Sequence, residues 1–145
     1  MYLTPHHTAC AVETLEKALA TYSDGLMLTR RSRAFDVSSQ GVSVCFLELV
    51  SGFYLELVAP HPTQTRLAKY LRTGFYHLCF LTDDLAASRA HLKQRRFTAL
   101  PAFSSEAFDG SACQFFLSPE LHLIELAQTT SEDFNAFFSR NIMDR

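Results

Sequence analysis

The chain has 145 residues, 48% of them apolar, with thirteen phenylalanines and no tryptophan: material for one ordinary domain, or for two small halves sharing a core. Its formal net charge is −2 and its isoelectric point about 6.3, so no basic field argues for nucleic acid or an anionic membrane as a partner. No apolar run is long enough to cross a bilayer and no signal peptide is evident. The four cysteines, Cys10, Cys45, Cys79 and Cys113, lie in apolar strand-like runs without C-x-x-C spacing, which suits small core fillers in a reduced, cytoplasmic protein.

In chain order, residues 6–12 read as a strand with His7, Ala9 and Ala11 on one face and Thr8, Cys10 and Val12 on the other. A helix over 13–22 follows, with Leu15, Ala18, Leu19 and Tyr22 at helical spacing, closed by Ser23, Asp24 and Gly25. Three β-prone runs, 26–30, 42–50 and 53–58, come next, with Ser51-Gly52 as a hairpin turn between the last two. This first module, about 5–60, therefore reads βαβββ. Pro60, His61 and Pro62 stop it, and a linking helix is expected within 61–74, over about 64–72. The second module, about 75–128, repeats the order: strand 75–81, helix 84–95, a run at 97–100, and strands 112–117 and 121–127 around a turn at Ser118-Pro119-Glu120. A terminal helix over 131–142 carries Phe134, Phe137 and Phe138 as a stripe, expected to pack on the domain or on a partner subunit.

The two modules also match residue by residue. His7 falls on His77 and Leu15 on Leu85 at an offset of 70, and Glu56 falls on Glu125 at an offset of 69. If the halves pack about a pseudo-twofold axis, equivalent positions converge. His7, Glu56, His77 and Glu125 would then meet, and two imidazoles with two carboxylates suit one divalent cation such as Co, Zn, Ni or Mn. Both glutamates lie in apolar runs, where an unpaired carboxylate is costly to bury.

With these residues assembled, the chain resembles the vicinal oxygen chelate superfamily, whose members set two βαβββ modules around a divalent metal, and within it the methylmalonyl-CoA epimerases. The segments that carry the resemblance are 6–19, where the second histidine, His7, matches a ligand; 39–48, similar to a Gln-Gly-Val strand; 55–60, giving Glu56; and 76–85 and 123–126, giving His77 and Glu125. The implied fold is α+β: a cupped mixed sheet with helices on its outer face and an added C-terminal helix, all in one domain over 1–145. The implied activity is a metal-dependent isomerase that stabilises an enolate during proton transfer α to a thioester. Its substrate would be a small molecule of the acyl-CoA class, with no nucleic acid or membrane involved, and relatives lead one to expect a homodimer.

The departures from that pattern shape the expectations. Ser39 stands where the epimerases carry an acid before Gln-Gly, and Tyr76 where many relatives have a second histidine. By resemblance Glu125 is one catalytic acid/base. Glu48 is a candidate for the other if its side chain points into the cup, against the alternative of an outward, solvated carboxylate. Arg30, Arg31 and Arg33, or Lys93, Arg95 and Arg96, could meet the phosphates of an acyl-CoA, or simply form solvated charge runs. Residues that contact the substrate's acyl part are not assigned. Two rivals stay open: a glyoxalase I-like lyase, which needs no second base, and a non-catalytic small-molecule-binding protein on the same fold. Iron-dependent dioxygenase chemistry fits less well, because it uses two histidines and one carboxylate with open positions.

Overall fold

The structure, a computed structural model, describes residues 2–63 and 71–143. Most of the expected linking helix falls on residues 64–70, outside the described residues. The first module contains β1 (Leu3–Ala11), α1 (Leu15–Leu19), β2 (Phe35–Val37), β3 (Val42–Val50) and β4 (Phe53–Pro60). The second contains β5 (Gly74–Thr82), α2 (Leu85–Gln94), β6 (Thr98–Ala99), β7 (Phe103–Ser105), β8 (Ser111–Leu117) and β9 (Leu123–Gln128), and α3 (Ser131–Arg140) closes the chain.

The helices begin where the repeat offset places them. Thr14 caps α1 by accepting from the Lys17 amide, and Asp84, 70 residues on, caps α2 by accepting from the Ala87 amide. Beyond Leu19 the first helix loosens into a π-helical turn, Ala20–Asp24, in which the Gly25 amide reaches back to the Ala20 carbonyl.

The nine strands among the described residues join one sheet in the order β2-β3-β4-β1-β5-β9-β8-β6, with β7 also pairing β8. The order is nearly a palindrome. β1 runs parallel to β4, β5 runs parallel to β9, and β1 and β5 meet antiparallel at the centre. In that central ladder His7 pairs with Cys79, Thr8 with Leu78 and Ala9 with His77, so the pseudo-twofold passes between Thr8 and Leu78. The sheet curls into a half-barrel, the α+β arrangement expected from the sequence.

Apolar side chains fill both faces. On the outer face α1 covers Leu47, Leu55 and Leu57, while α2 covers Phe116 and Leu126. On the cupped face of the first module Phe35, Phe46 and Tyr54 meet Phe134, Phe137 and Phe138 of α3. The stripe on the terminal helix is thus buried within the chain itself. A hydrogen bond of 2.8 Å from Tyr54 Oη to Asn135 Oδ1 seats the helix.

Two expectations need correction. Residues 26–30 do not form a strand: Met27 takes a positive φ of 56°, and Leu26 and Met27 face solvent, so the run turns and meets β3 only at its end, where the Glu48 amide donates to the Arg30 carbonyl. The strand lies later, at Phe35–Val37, where Phe35 and Val37 point inward around an exposed Asp36. The short strand β7 was also not foreseen; it has one large apolar residue, Phe103, and its pairing with β8 is what defines it. Phe134 joins these parts, its ring centroid 4.1 Å from His6, 5.1 Å from Tyr54 and 5.2 Å from Phe46. Phe134→Ala should cost about 3–5 kcal/mol by cavity formation, read as a lowered denaturant midpoint with an unchanged slope.

Candidate metal centre

Each of the four repeated residues reaches the cupped face through strand alternation. His7 on β1 and His77 on β5 stand on neighbouring antiparallel strands. Glu56 on β4 pairs with Ala9, and Glu125 on β9 pairs with Cys79. Because Ala9 and Cys79 are themselves 70 residues apart, the two ladders are equivalent, and the one-residue shortening of the second module falls outside them. The small side chains at 9 and 79 leave space between each glutamate and the central strands.

The four side chains come together. His7 Nε2 lies 3.0 Å from His77 Nε2 and 3.4 Å from Oε1 of both Glu56 and Glu125. His77 Nε2 lies 3.5 Å from Glu56 Oε1 and 3.3 Å from Glu125 Oε1. All four residues are buried. Donor atoms bound to one divalent ion at about 2.0–2.2 Å stand roughly 3.0–3.5 Å from one another. The observed spacings, with nitrogen and oxygen donors converging from four strands, therefore fit a ligand shell for such an ion.

Without a cation the cluster balances itself through protons. Burial disfavours a charged His7, but the charge of Glu56 and hydrogen bonds to Glu125 and Glu56 outweigh it and raise its pKa to about 9. Burial would raise Glu125, yet its hydrogen bonds to His7 and His77 prevail and hold it well below the usual carboxylate range. The charge repulsion of two buried carboxylates is thus relieved by imidazolium, the same positive charge a metal would supply.

His6 belongs to the same assembly although its role was not foreseen. The β1–β5 ladder passes from Pro5 opposite Phe80 directly to His7 opposite Cys79, so His6 is the extra residue of a β-bulge. A second shift, between Ala9 opposite His77 and Cys10 opposite Phe75, makes Tyr76 the extra residue on β5. These bulges are symmetry mates, 70 residues apart. His6 Nδ1 lies 2.8 Å from His7 Nδ1, and its ring sits among Phe46, Tyr54, Phe108 and Phe134. Burial and then the neighbouring His7 charge hold its pKa well below 6.5. In strict strand alternation His6 would face away from His7, and neither bulge has a signature in the sequence.

Glu56, His77 and Glu125 form the floor of a cup with about 340 Å³ of open space. Val37, Val42, Val44, Val58, Phe103 and Phe115 make its walls apolar, and Gln40, Tyr76 and Ser105 add polar groups. Burial, followed by the Glu125 and Glu56 charges, pushes the Tyr76 phenol up to about 12, so it stays a neutral donor. Burial likewise pushes the Cys79 thiol well up, which keeps it protonated beside the cluster.

Glu48 does not join them. Its Oε1 accepts a 3.0 Å hydrogen bond from Arg30 Nε, and it is not among the residues lining the cup, because β3 carries it past Phe46 toward the α3 side. The Ser39 hydroxyl donates to the Ser104 carbonyl at 3.1 Å, and the adjacent Ser38 binds Glu106 through both its amide and its hydroxyl. Arg30 and Arg33 are also engaged: Arg30 lies over the Phe138 ring, and Arg33 lies over Phe35 while donating to Asn141 Oδ1. Lys93, Arg95 and Arg96 sit at the exposed end of α2.

The family described as the Glyoxalase/Bleomycin resistance protein/Dioxygenase superfamily matches residues 6–116. The mitochondrial methylmalonyl-CoA epimerase of Homo sapiens is 31% identical over 99 residues, 66% of this chain and 55% of that protein, and the Mus musculus enzyme is 29% identical over the same length. The chain spans about half the length of these curated relatives. Among solved structures, a hypothetical protein from Bacillus halodurans C-125 superposes with a TM-score of 0.76 at 20% identity, covering 90% of this chain and 96% of that one. A Streptomyces coelicolor methylmalonyl-CoA epimerase variant in complex with 2-nitronate-propionyl-CoA gives 0.68 at 23% identity, covering 87% and 94%. A duplicated βαβββ half-barrel and a family match over most of the length lead to one conclusion: this chain belongs to the glyoxalase/bleomycin resistance protein/dioxygenase superfamily.

Proposed function

We propose that the protein is a metal-dependent isomerase of the methylmalonyl-CoA epimerase kind, removing and returning a proton α to a thioester carbonyl. The observation that carries this reading is the convergence of His7, Glu56, His77 and Glu125 on the floor of an apolar cup, 3.0 Å between the imidazoles and 3.3–3.5 Å from imidazole to carboxylate atoms. The epimerases among its relatives supply the substrate class. These four residues would hold the ion, with Co, Zn, Ni and Mn all compatible with the donor set. When bound, a divalent cation supplies Lewis-acid stabilisation of the negative charge that develops on a carbonyl oxygen.

The chain's own residues do the rest. Glu125 takes the α-proton, and the apolar walls keep bulk water from the carbanionic carbon. Inverting the centre needs a second group on the opposite face. Among the described residues lining the cup, Glu56 is the only other carboxylate, and the pseudo-twofold sets it across from Glu125. An acyl group would enter the cup, and the remaining length of a coenzyme A would run out over its rim. All four cysteines are free thiols, in keeping with a reducing, cytoplasmic setting, and a homodimer is the assembly the reading expects.

A second reading, a glyoxalase I-like lyase that shifts a proton between adjacent carbons, is favoured by one specific observation. Glu48 and Ser39 are both engaged away from the cup, which leaves the proton-transfer groups within the cluster itself.

The decisive measurement is exchange of the α-proton of methylmalonyl-CoA in deuterated water by metal-loaded protein. Exchange supports the epimerase; no exchange, with turnover of a hemithioacetal, supports the lyase. Glu125→Gln should lower turnover by about 10²–10⁴-fold, and full activity in that variant would overturn the assignment.

The protonation state of His7 gives a further test. Its folded pKa of about 9 lies above its unfolded value of 6.5, so its contribution to the metal-free protein is complete below about pH 6.5 and lost as pH rises through about 9. Melting temperature of the chelated protein should fall across that window. Binding of Zn²⁺ near neutral pH should release close to one proton, measured by calorimetry in buffers of different ionisation heat. A flat melting profile with no proton release would show that the cluster does not hold a protonated His7.

A further inference from the structure

The bulge at His6 gives the first module something the second lacks. Two Nε2 atoms face the cluster, one from each module, but the far sides of the two rings differ. His7 Nδ1 has a partner 2.8 Å away in His6 Nδ1, whereas His77 Nδ1 is buried with no hydrogen-bond partner among the described residues. The symmetry mate of His6 is Tyr76, which lines the cup.

The proton count along this path is fixed by chemistry. A cation held by His7 Nε2 takes its lone pair, so the His7 proton must reside on Nδ1. A 2.8 Å nitrogen–nitrogen contact is a hydrogen bond only if one atom donates and the other accepts, so His6 Nδ1 must be the bare acceptor. The His6 proton then sits on Nε2, an atom buried inside the rings of Phe46, Tyr54, Phe108 and Phe134 with no hydrogen-bond partner among the described residues. A buried N–H without an acceptor is a standing cost, and packing alone does not account for it, since leucine or phenylalanine would fill an aromatic cage without it.

We propose that His6 is a positioning residue for the metal, accepting the Nδ1 proton of His7 so that this ring presents Nε2 to the cation in one tautomer and one orientation. The proposal rests on the metal-centre reading given above. It assigns to a neutral imidazole the task that a carboxylate or carbonyl performs behind most metal-bound histidines. It also makes the centre unequal, with His7 held from behind by the bulge and His77 held by packing alone.

The test uses the full chain loaded with Zn²⁺, with affinity measured by competition against a chromophoric chelator. His6→Leu keeps the apolar packing and removes the acceptor; His6→Asn places Oδ1 near the position of Nδ1 and restores it. Affinity should fall about 10–100-fold in His6→Leu and recover most of the way in His6→Asn. Equal affinity in His6→Leu and the unaltered protein would overturn the proposal, as would a loss of equal size in both variants. The ¹⁵N spectrum of unaltered Zn²⁺-loaded protein decides the matter even if a variant fails to fold. His7 Nδ1 should be protonated, His6 Nδ1 unprotonated, and the two coupled across the hydrogen bond; the reverse pattern would overturn the assignment. His7→Ala separates the two levels of the argument. If that variant binds Zn²⁺ as tightly as the unaltered chain, the metal-centre reading fails and this one with it, whereas a large loss there with no effect at His6 removes only the present inference.

Discussion

The antiparallel pairing of β1 with β5 is the constraint on which the remaining structure turns. It joins the two modules about their pseudo-twofold, and it alone sets the distance between His7 and His77, whose Nε2 atoms stand 3.0 Å apart. Each module then adds one parallel neighbour, β4 or β9, and with it one glutamate. A one-residue slip in the central ladder would turn a histidine to the outer face and dissolve the cluster, because side chains alternate with a period of two. The bulges at His6 and Tyr76 fix that register as well as interrupting it, since each places an extra residue where a slipped ladder would need a regular pair.

Burying two carboxylates in an apolar sheet creates a demand for positive charge that the fold does not meet with lysine or arginine. Arg30 is committed to Glu48 and Arg33 to Asn141. What remains is a cluster that holds protons, and a cation bound as proposed would compete with them for the same nitrogen of His7. On the proposed reading, such a site contributes less to holding the fold together than to binding an ion, because its charges are left for the ion to neutralise.

Much of this was legible in the sequence, and for a definite reason. Duplication writes the pseudo-twofold into residue numbers, so the offsets that align His7 with His77 and Glu56 with Glu125 also fix the helix starts at Leu15 and Leu85. What could not be read depended on local geometry that spacing does not encode. Residues 26–30 have a strand's composition but turn at Met27, while Phe35–Val37 has too few apolar residues to stand out. Glu48 shares the cupped face but lies too far along β3, at an end where Arg30 captures it. His6 was hidden because alternation places it outside, and only the ladder itself reveals the extra residue.

The terminal helix gives the centre a mechanical asymmetry. Phe134 of α3 presses on His6, and His6 touches the ring of His7, so a continuous line of contacts runs from the last helix to one nitrogen of the cluster. On the other side Tyr76 and Phe115 flank His77, with Phe103 stacked on Phe115, and all of these line the cup. A molecule in the cup would therefore press directly on the rings beside His77, while His6 and Phe134 lie behind the cluster and outside the lining of the cup.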